Sequence, residues 1–457
     1  MSWLPSVRAA DQSAPSDIRF ASRRCPRRHR WAVAGLAIIL ATPARPCTTL
    51  FLRNAENRIV GNNYDYYAVD GRVIVNRRGL RKAVYSTNSG LQWVSRFGSV
   101  TFNQWGHEFP NGGLNEAGLV VEQMMLDGTQ YPIDGRPSIT EMQWIQYQLD
   151  CSATVQDVVA SDAGIRIHQD STPLHFFVAD AAGNAAVIEF LGGRLVAHTG
   201  DSLPIPALTN HTYEASLAYA SITRPEQADH VSSLGRFVQA ATSAATFAQS
   251  PVTDPVGFAL AALDNVNQPN WTRWSTVCDI GRRRVYFRTQ AARAIKQIAL
   301  ADLDFRPEAT TRMLDINTTA PGVVVPDWPI SRADNLAVLT SVFRQTTPLA
   351  STPLSYLQQR AAYPDSIVIE PRPPAITSHP ASQTVAPGGH AVLSVTANGD
   401  APPFAYQWSR NGIAITGATA PLLSLTSVTS ADAADYAVTV TSAVGSTTSR
   451  FARLVVA

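Results

Sequence analysis

The stretch 47-CTTLFLRNAENRIVGNNYD-65 opens with a cysteine and runs into two strand-like segments. "TTLFLRN" and "NRIVGNNYD" are rich in β-branched and apolar residues. The polar residues Asn54 to Asn57 between them read as a turn, so the spacing predicts an antiparallel strand pair. Cys47 admits three readings: a structural thiol, a lipid attachment site, or an N-terminal nucleophile. Lipidation wants a small residue just before the cysteine and a leucine about three before it. Pro46 and Ala44 stand there instead. The nucleophile reading has its own physical logic. If processing makes Cys47 the first residue, thiol and α-amine share one residue. An α-amine has an ordinary pKa of about 7.7–8.0 and a thiol about 8.5. The amine can then act as general base near neutral pH, and the thiolate as nucleophile.

What precedes Cys47 reads as an export signal. An arginine-rich segment ends at Arg30, and "WAVAGLAIILAT" follows with about 12 largely apolar residues, the size of a signal core. A spanning helix needs roughly 20, so no stable membrane anchor is expected after removal, and the mature protein is expected outside the cytoplasm, periplasmic or extracellular. The 457 residues carry a net charge of +2, much of the basic excess lying in this leader, so nothing points to nucleic acid. Four cysteines are present. Cys25 goes with the leader, and Cys47, Cys151 and Cys278 leave an odd number. At most one disulfide can form, and Cys151 and Cys278 read as small buried hydrophobes. No CxxC or HExxH spacing occurs, so neither a metal nor a cofactor is expected.

From residue 47 to about 365 short strands and helices alternate. "RVIVNRRG" and "KAVYST" read as strands. "SITEMQWIQYQLD" reads as a helix capped by Ser138 and Glu141, and "TVQDVVAS" repeats the cap with Thr154 and Asp157. "LHFFVADAAGNAAVIEFLGGRLVAH" reads as three strands in a meander. Helices are expected near 225–242 and 255–266, and a hairpin in "WSTVCDIGRRRVYFRT", turned at Asp279 to Arg282. The pattern is that of antiparallel sheet with helices packed on it, an α+β class. The proline cluster of 366–375 reads as an interdomain linker. After it, short alternating strands with turn signals every 8–12 residues, Trp408 mid-strand and Tyr436 in "DAADYAV" resemble an immunoglobulin-like sandwich with a tyrosine corner. Val395 and Val438 hold the positions where bridging cysteines often stand, so this core is expected to rest on packing alone. Such a module is expected to bind protein or glycan, space or attach.

Five segments in order carry a second resemblance: "CTTLFL", "GNNYDYY", "NGGLNEAGLVVEQMML", "PALTNHTY" and "WTRWSTVCDIGRRRVYFRT". Over residues 47 to about 300 they resemble the linear amide C–N hydrolase family of N-terminal-nucleophile enzymes, which includes penicillin V acylases and choloylglycine hydrolases. The resemblance implies a four-layer αββα sandwich. It implies Cys47 as nucleophile and base, Asp65 beside its amine, and the Asn210 side-chain N–H with the Met125 main-chain N–H as oxyanion donors. Arg273 would close the polar network. Trp271 and Trp274 flank it and are candidates for the substrate wall. Many members have arginine where this chain has Asn62, which removes a cation that could lower the thiol pKa. The domain expectation is therefore a leader of 1–46, a catalytic domain of 47–365, a linker of 366–375 and an immunoglobulin-like domain of 376–457. The expected activity is hydrolysis of a small non-peptide amide. An acyltransferase on the same acyl-enzyme and a non-enzymatic exported binding protein are the competing readings, and a homo-oligomer is left open.

Overall fold

A computed structural model describes residues 47–85, 89–249, 251–399 and 402–457. The export segment lies outside the described residues. Two sheets form the centre of the N-terminal region. The first has seven strands in the order Ala207–Leu208, Thr48–Arg53, Arg58–Asp65, Thr272–Asp279, Arg284–Thr289, Lys296–Ala299 and Gly322–Val323. The second has nine, among them Arg194–Thr199, Ala185–Leu191, Leu174–Ala179, Val120–Met125 and Gly112–Asn115 as successive neighbours. The helices Ser233–Gln249 and Pro255–Asn265 cover the first sheet, and Glu141–Cys151 and Val155–Ala160 cover the second. Strands buried on both faces follow from this layering, and Thr48–Leu52 is buried throughout. The arrangement is the αββα sandwich of N-terminal-nucleophile hydrolases.

The strand pair across Asn54–Asn57 forms with Thr49 opposite Asn62, and the 174–199 meander and the hairpin at Asp279–Arg282 are also present. Thr154 and Asp157 form the reciprocal cap on Val155–Ala160. Other expectations are corrected. Ser138 does not cap a helix. Ser138–Thr140 is a strand, paired in parallel with Arg166–His168, and Thr140 caps the helix by accepting the Gln143 N–H. Glu141 accepts instead from the main-chain N–H groups of Asp170, Ser171 and Thr172 at 2.7–2.9 Å. The helix expected from residue 225 starts at Ser233, because Ser232 accepts the Gly235 N–H and so supplies the N-cap hydroxyl. The strand expected over 82–87 begins earlier and ends at Ala83. Helices Tyr213–Ile222, Arg332–Gln345 and Leu354–Ala362 were not expected, although Ser331 and Asp334 form a capping box at the start of the second. Among the described residues no helix is long and apolar enough to cross a membrane.

The expected linker of 366–375 is partly tied into a sheet. Val368–Ile369 pairs with the edge strand Leu80–Ala83, and Glu370 takes both Nε and Nη2 of Arg81. Pro371, Pro373 and Pro374 follow, and the pairing stops there. Beyond them the strands of the C-terminal region close around Trp408, which is fully buried and donates its indole N–H to Ala420 O at 2.9 Å. Tyr436 Oη donates to Asp432 O at 2.9 Å, the tie of a tyrosine corner, and Val395 and Val438 lie in the same core.

Candidate active site

Register places the site. Thr49 pairs with Leu208 and Leu50 with Ala207, so the antiparallel count carried outward puts Asn210 opposite Cys47. The Cys47 main-chain N–H donates to Asn210 Oδ1 at 3.0 Å. On the other side, Thr48 pairs with Asn63, which sets Tyr64 opposite Cys47 and Asp65 one step beyond. Cys47 Sγ lies 3.8 Å from Asp65 O and is buried.

The Asn210 side chain has a determined orientation. Its Oδ1 accepts from Cys47 N–H and from Arg236 Nη2 at 3.0 Å each, and its Nδ2 donates to Met125 O at 3.0 Å. Two donors on one atom and an acceptor on the other allow no flip. Met125 pairs with Leu174, while Leu126 N–H donates to Pro173 O in the next register position. Hydrogen-bonded and non-bonded pairs alternate along an antiparallel ladder. Met125 therefore turns both its N–H and its C=O away from the 174–179 strand, toward Asn210.

Arg236 was not among the candidate residues from the sequence. It lies in the first turn of Ser233–Gln249, and that helix packs on the 48–53 strand. Its Nη1 donates to Cys47 O and Thr48 Oγ1 at 2.5 Å each, and its Nε to Val231 O at 3.1 Å. It is 1 % exposed. Burial works against its charge, and the nearby Asp65, Cys47 and Asp229 favour it. A signal existed: Arg236, Ala240, Ala244 and Phe247 share one helical stripe, so a charge stands on a buried face.

Asp65 is 1 % exposed, and neither carboxylate oxygen has a well-formed hydrogen bond. Burial pushes its pKa up to about 8, against the pull of the Thr272 hydroxyl and the Arg236 and Arg273 charges. Asn62 points away from this group. Its Oδ1 accepts from Thr49 Oγ1 at 3.0 Å and its Nδ2 donates to Glu122 Oε2 at 3.1 Å. Glu122 is itself buried, and burial holds its carboxyl well above the usual carboxylate range. The cation beside Cys47 is thus Arg236, from a different element than position 62.

Arg273 sits at the margin. Its Nε donates to Tyr66 O at 2.6 Å and its Nη1 to Gln290 Oε1 at 2.9 Å, and only its charge reaches Asp65. Trp274 stacks on Tyr64 at 4.3 Å, and Trp271 meets Tyr67 edge-on at 5.2 Å. Neither lines the cleft at Cys47. That cleft is narrow, with about 20 Å³ of free volume, and its walls are Tyr64, Tyr66, Trp105, Met125, Met142 and Leu174, with Asp65, Gln123 and Thr172. A wider groove of about 720 Å³ lies at the far end of the 48–53 strand, against Phe51 and Arg53, away from this chemistry. Cys151 and Cys278 are unbridged thiols. Burial raises the first to about 12 and the second well above the usual thiol value, so neither is a ready thiolate.

Residues 47–245 match the family of linear amide C–N hydrolases, choloylglycine hydrolase family, and residues 373–442 match the immunoglobulin domain. The chain is 24% identical over 267 residues to a penicillin V acylase of Pectobacterium atrosepticum, covering 48% of this chain and 70% of that protein. The structure of penicillin V acylase from Agrobacterium tumefaciens superposes with a TM-score of 0.54 at 24% identity, over 62% of this chain and 99% of that one. A conjugated bile acid hydrolase from Clostridium perfringens gives 0.49 at 15% identity, over 61% of this chain and 99% of that one. The chain carries a linear amide C–N hydrolase domain of the choloylglycine hydrolase and penicillin V acylase family. An immunoglobulin-like domain follows it.

Proposed function

We propose that this is an exported amidohydrolase that cleaves a linear N-acyl amine through an acyl-thioester on Cys47. The observation that carries the reading is the convergence of Asn210 and Arg236 on Cys47, with the Asp65 main chain against its thiol. Removal of the residues before Cys47 converts its main-chain N–H into an α-amine beside the buried Asp65 carboxyl. A cation there lowers the Asp65 pKa, and the resulting carboxylate orients the amine. The amine takes the thiol proton, and Sγ attacks the carbonyl carbon. Asn210 Nδ2 and Met125 N–H receive the oxyanion, a donor pair of which each member is worth roughly 3–4 kcal/mol in the transition state. As the C–N bond breaks, the ammonium passes its proton to the leaving amine. Water then attacks the thioester, losing its proton to the same amine, and the acid leaves as the thiol re-forms.

The aromatic and methionine walls of the cleft suit a flat, apolar acyl group. Penicillin V, conjugated bile acids and N-acyl homoserine lactones are the substrates to compare first. Export follows from the arginine-rich segment and apolar run ahead of Cys47. We place the domain borders at 46/47, 365 and 375. Intact mass and N-terminal sequencing of the secreted protein test the mechanism, with Cys47 expected as the first residue. A fully active protein that keeps Arg45 and Pro46 would overturn it, because its Cys47 nitrogen could not act as a base.

A further inference from the structure

Beneath Asn210 lies a buried group of ionisable side chains that the acyl transfer does not touch. His175 and Glu189, on the neighbouring strands Leu174–Ala179 and Ala185–Leu191, are both fully buried. His175 Nδ1 is 3.2 Å from Glu189 Oε1, and its Nε2 is 2.6 Å from the main-chain oxygen of Thr209. Glu189 Oε1 also accepts the Tyr213 N–H at 3.0 Å, and its Oε2 is 3.3 Å from His198 Nε2.

Both partners of the His175 ring are acceptors. A neutral imidazole has one N–H and one lone pair, so either tautomer would turn a lone pair onto an oxygen. One further proton in the pair removes the conflict. It also makes the pair neutral overall, the state that burial favours. Burial alone would raise the Glu189 carboxyl. The bond and charge of His175, the Tyr213 N–H and the His198 charge outweigh it and hold the carboxyl below its usual value. Glu189 Oε1 already accepts the Tyr213 N–H and Oε2 faces His198 Nε2, a setting that suits an ionised carboxylate and leaves the extra proton to the His175 ring. The half-buried His198 and the fully buried Tyr213, whose rings meet at 4.8 Å, are the titratable neighbours of the pair. Arg236 lies across Asn210.

The partner of His175 Nε2 is half of one peptide unit. The C=O of that unit belongs to Thr209 and its N–H to Asn210. The Asn210 N–H donates to Ser233 Oγ at 2.9 Å, and Ser233 Oγ donates to Thr209 Oγ1 at 3.0 Å. Both polar ends of the Thr209–Asn210 peptide are therefore pinned by buried side chains. We propose that His175, as an imidazolium paired with Glu189, is a positioning residue that clamps this peptide and aims the Asn210 carboxamide at Cys47. The inference rests on Asn210 acting as an oxyanion donor, as argued above.

The test has two arms on the full chain. In histidine-¹⁵N-labelled protein, with His175 assigned by its loss in His175→Gln, both ring nitrogens are expected to carry protons at pH 7. The same spectrum is expected from the Cys47→Ser protein, which needs no turnover. A His175 ring with a single N–H beside an ionised Glu189 overturns the proposal. In the kinetic arm, His175→Leu is expected to lower kcat about ten- to hundred-fold with little change in KM, as a displaced oxyanion donor would. His175→Gln, which keeps one donor, is expected to recover part of that loss. A His175→Leu protein with a lower melting temperature and unchanged kcat per titrated Cys47 overturns the positioning role. If the wild type cleaves no linear amide, the functional reading falls, and the ring protonation still decides the state of His175.

Discussion

The sandwich that carries Cys47 buries Lys82, Glu108, Asp150, Glu122, His175, Glu189, Asp65 and Arg236, whereas Ser449 is the one buried polar side chain described in the sandwich around Trp408. Lys82 shows how the first interior is stabilised. Its Nζ lies 2.6 Å from Glu108 and 2.9 Å from Asp150, and Asp150 also accepts from Trp93 Nε1 at 2.8 Å. The C-terminal core contains Val395 and Val438 where a disulfide could stand, and closes on Trp408 and Leu393 without one. Buried charge is costly unless every member is paired. The first sandwich accepts that cost in part beside Cys47, where Arg236 and Asp65 lie buried. Among its described residues the immunoglobulin-like sandwich buries no charged side chain, and its interior is the ordinary apolar solution.

The comparison can be broken at several points. Cys47→Ala should abolish amide turnover, by about 10⁴-fold or more, with both regions still folded by circular dichroism. Cys151→Ser and Cys278→Ser should retain most activity, and equal losses in all three would point to misfolding. Lys82→Met leaves Glu108 and Asp150 buried without their cation and should cost about 3–5 kcal/mol, read as an earlier urea transition accompanied by loss of activity. Trp408→Ala should cost a similar 3–5 kcal/mol from cavity formation, but in a transition that leaves kcat unchanged. A single shared transition for both variants would show that the two sandwiches unfold as one unit.

Smaller effects sharpen the contrast. In a chain that retains Arg45 and Pro46, the folded Asp65 pKa of about 8 lies above its unfolded value of 3.8. The folded state then binds more protons between those values, so stability falls as pH rises from about 4 to about 8. Asp65→Asn should remove that slope, becoming more stable than its parent at pH 8 and nearly equal to it at pH 4, while losing activity once processed. Parallel stability curves for the two proteins would sink the assignment. Tyr436→Phe removes only the bond to Asp432 O and should cost about 1 kcal/mol, confined to the C-terminal transition.

Much of the site was legible in the sequence because its motifs are short. Cys47 heads a strand, and Asp65 ends the next one. Asn210 and Met125 were named from the resemblance, and the fold brings both to Cys47. Arg236 was missed because an arginine in a helix reads first as solvated surface, although it shares a stripe with Ala240, Ala244 and Phe247. Trp105, Tyr64 and Tyr66 form the cleft walls in place of Trp271 and Trp274: Tyr64 and Tyr66 flank Asp65 at the end of its strand, and Trp105 follows the strand Ser99–Asn103.

The local elements could be read from the chain alone: the pair across Asn54–Asn57, the 174–199 meander, the cap of Thr154 with Asp157, and the Trp408 and Tyr436 marks of the second sandwich. Alternation, turn chemistry and capping act over a few residues, so each is written in its own segment. Long-range packing makes Ser138–Thr140 a strand, turns Asn62 to Glu122, and brings Arg236 to Asn210 and the His175–Glu189 pair to Thr209. Cys47 and Asn210 are 163 residues apart. Sheet register and burial set which distant side chains meet and in what state of charge, and neither is a property of any one segment.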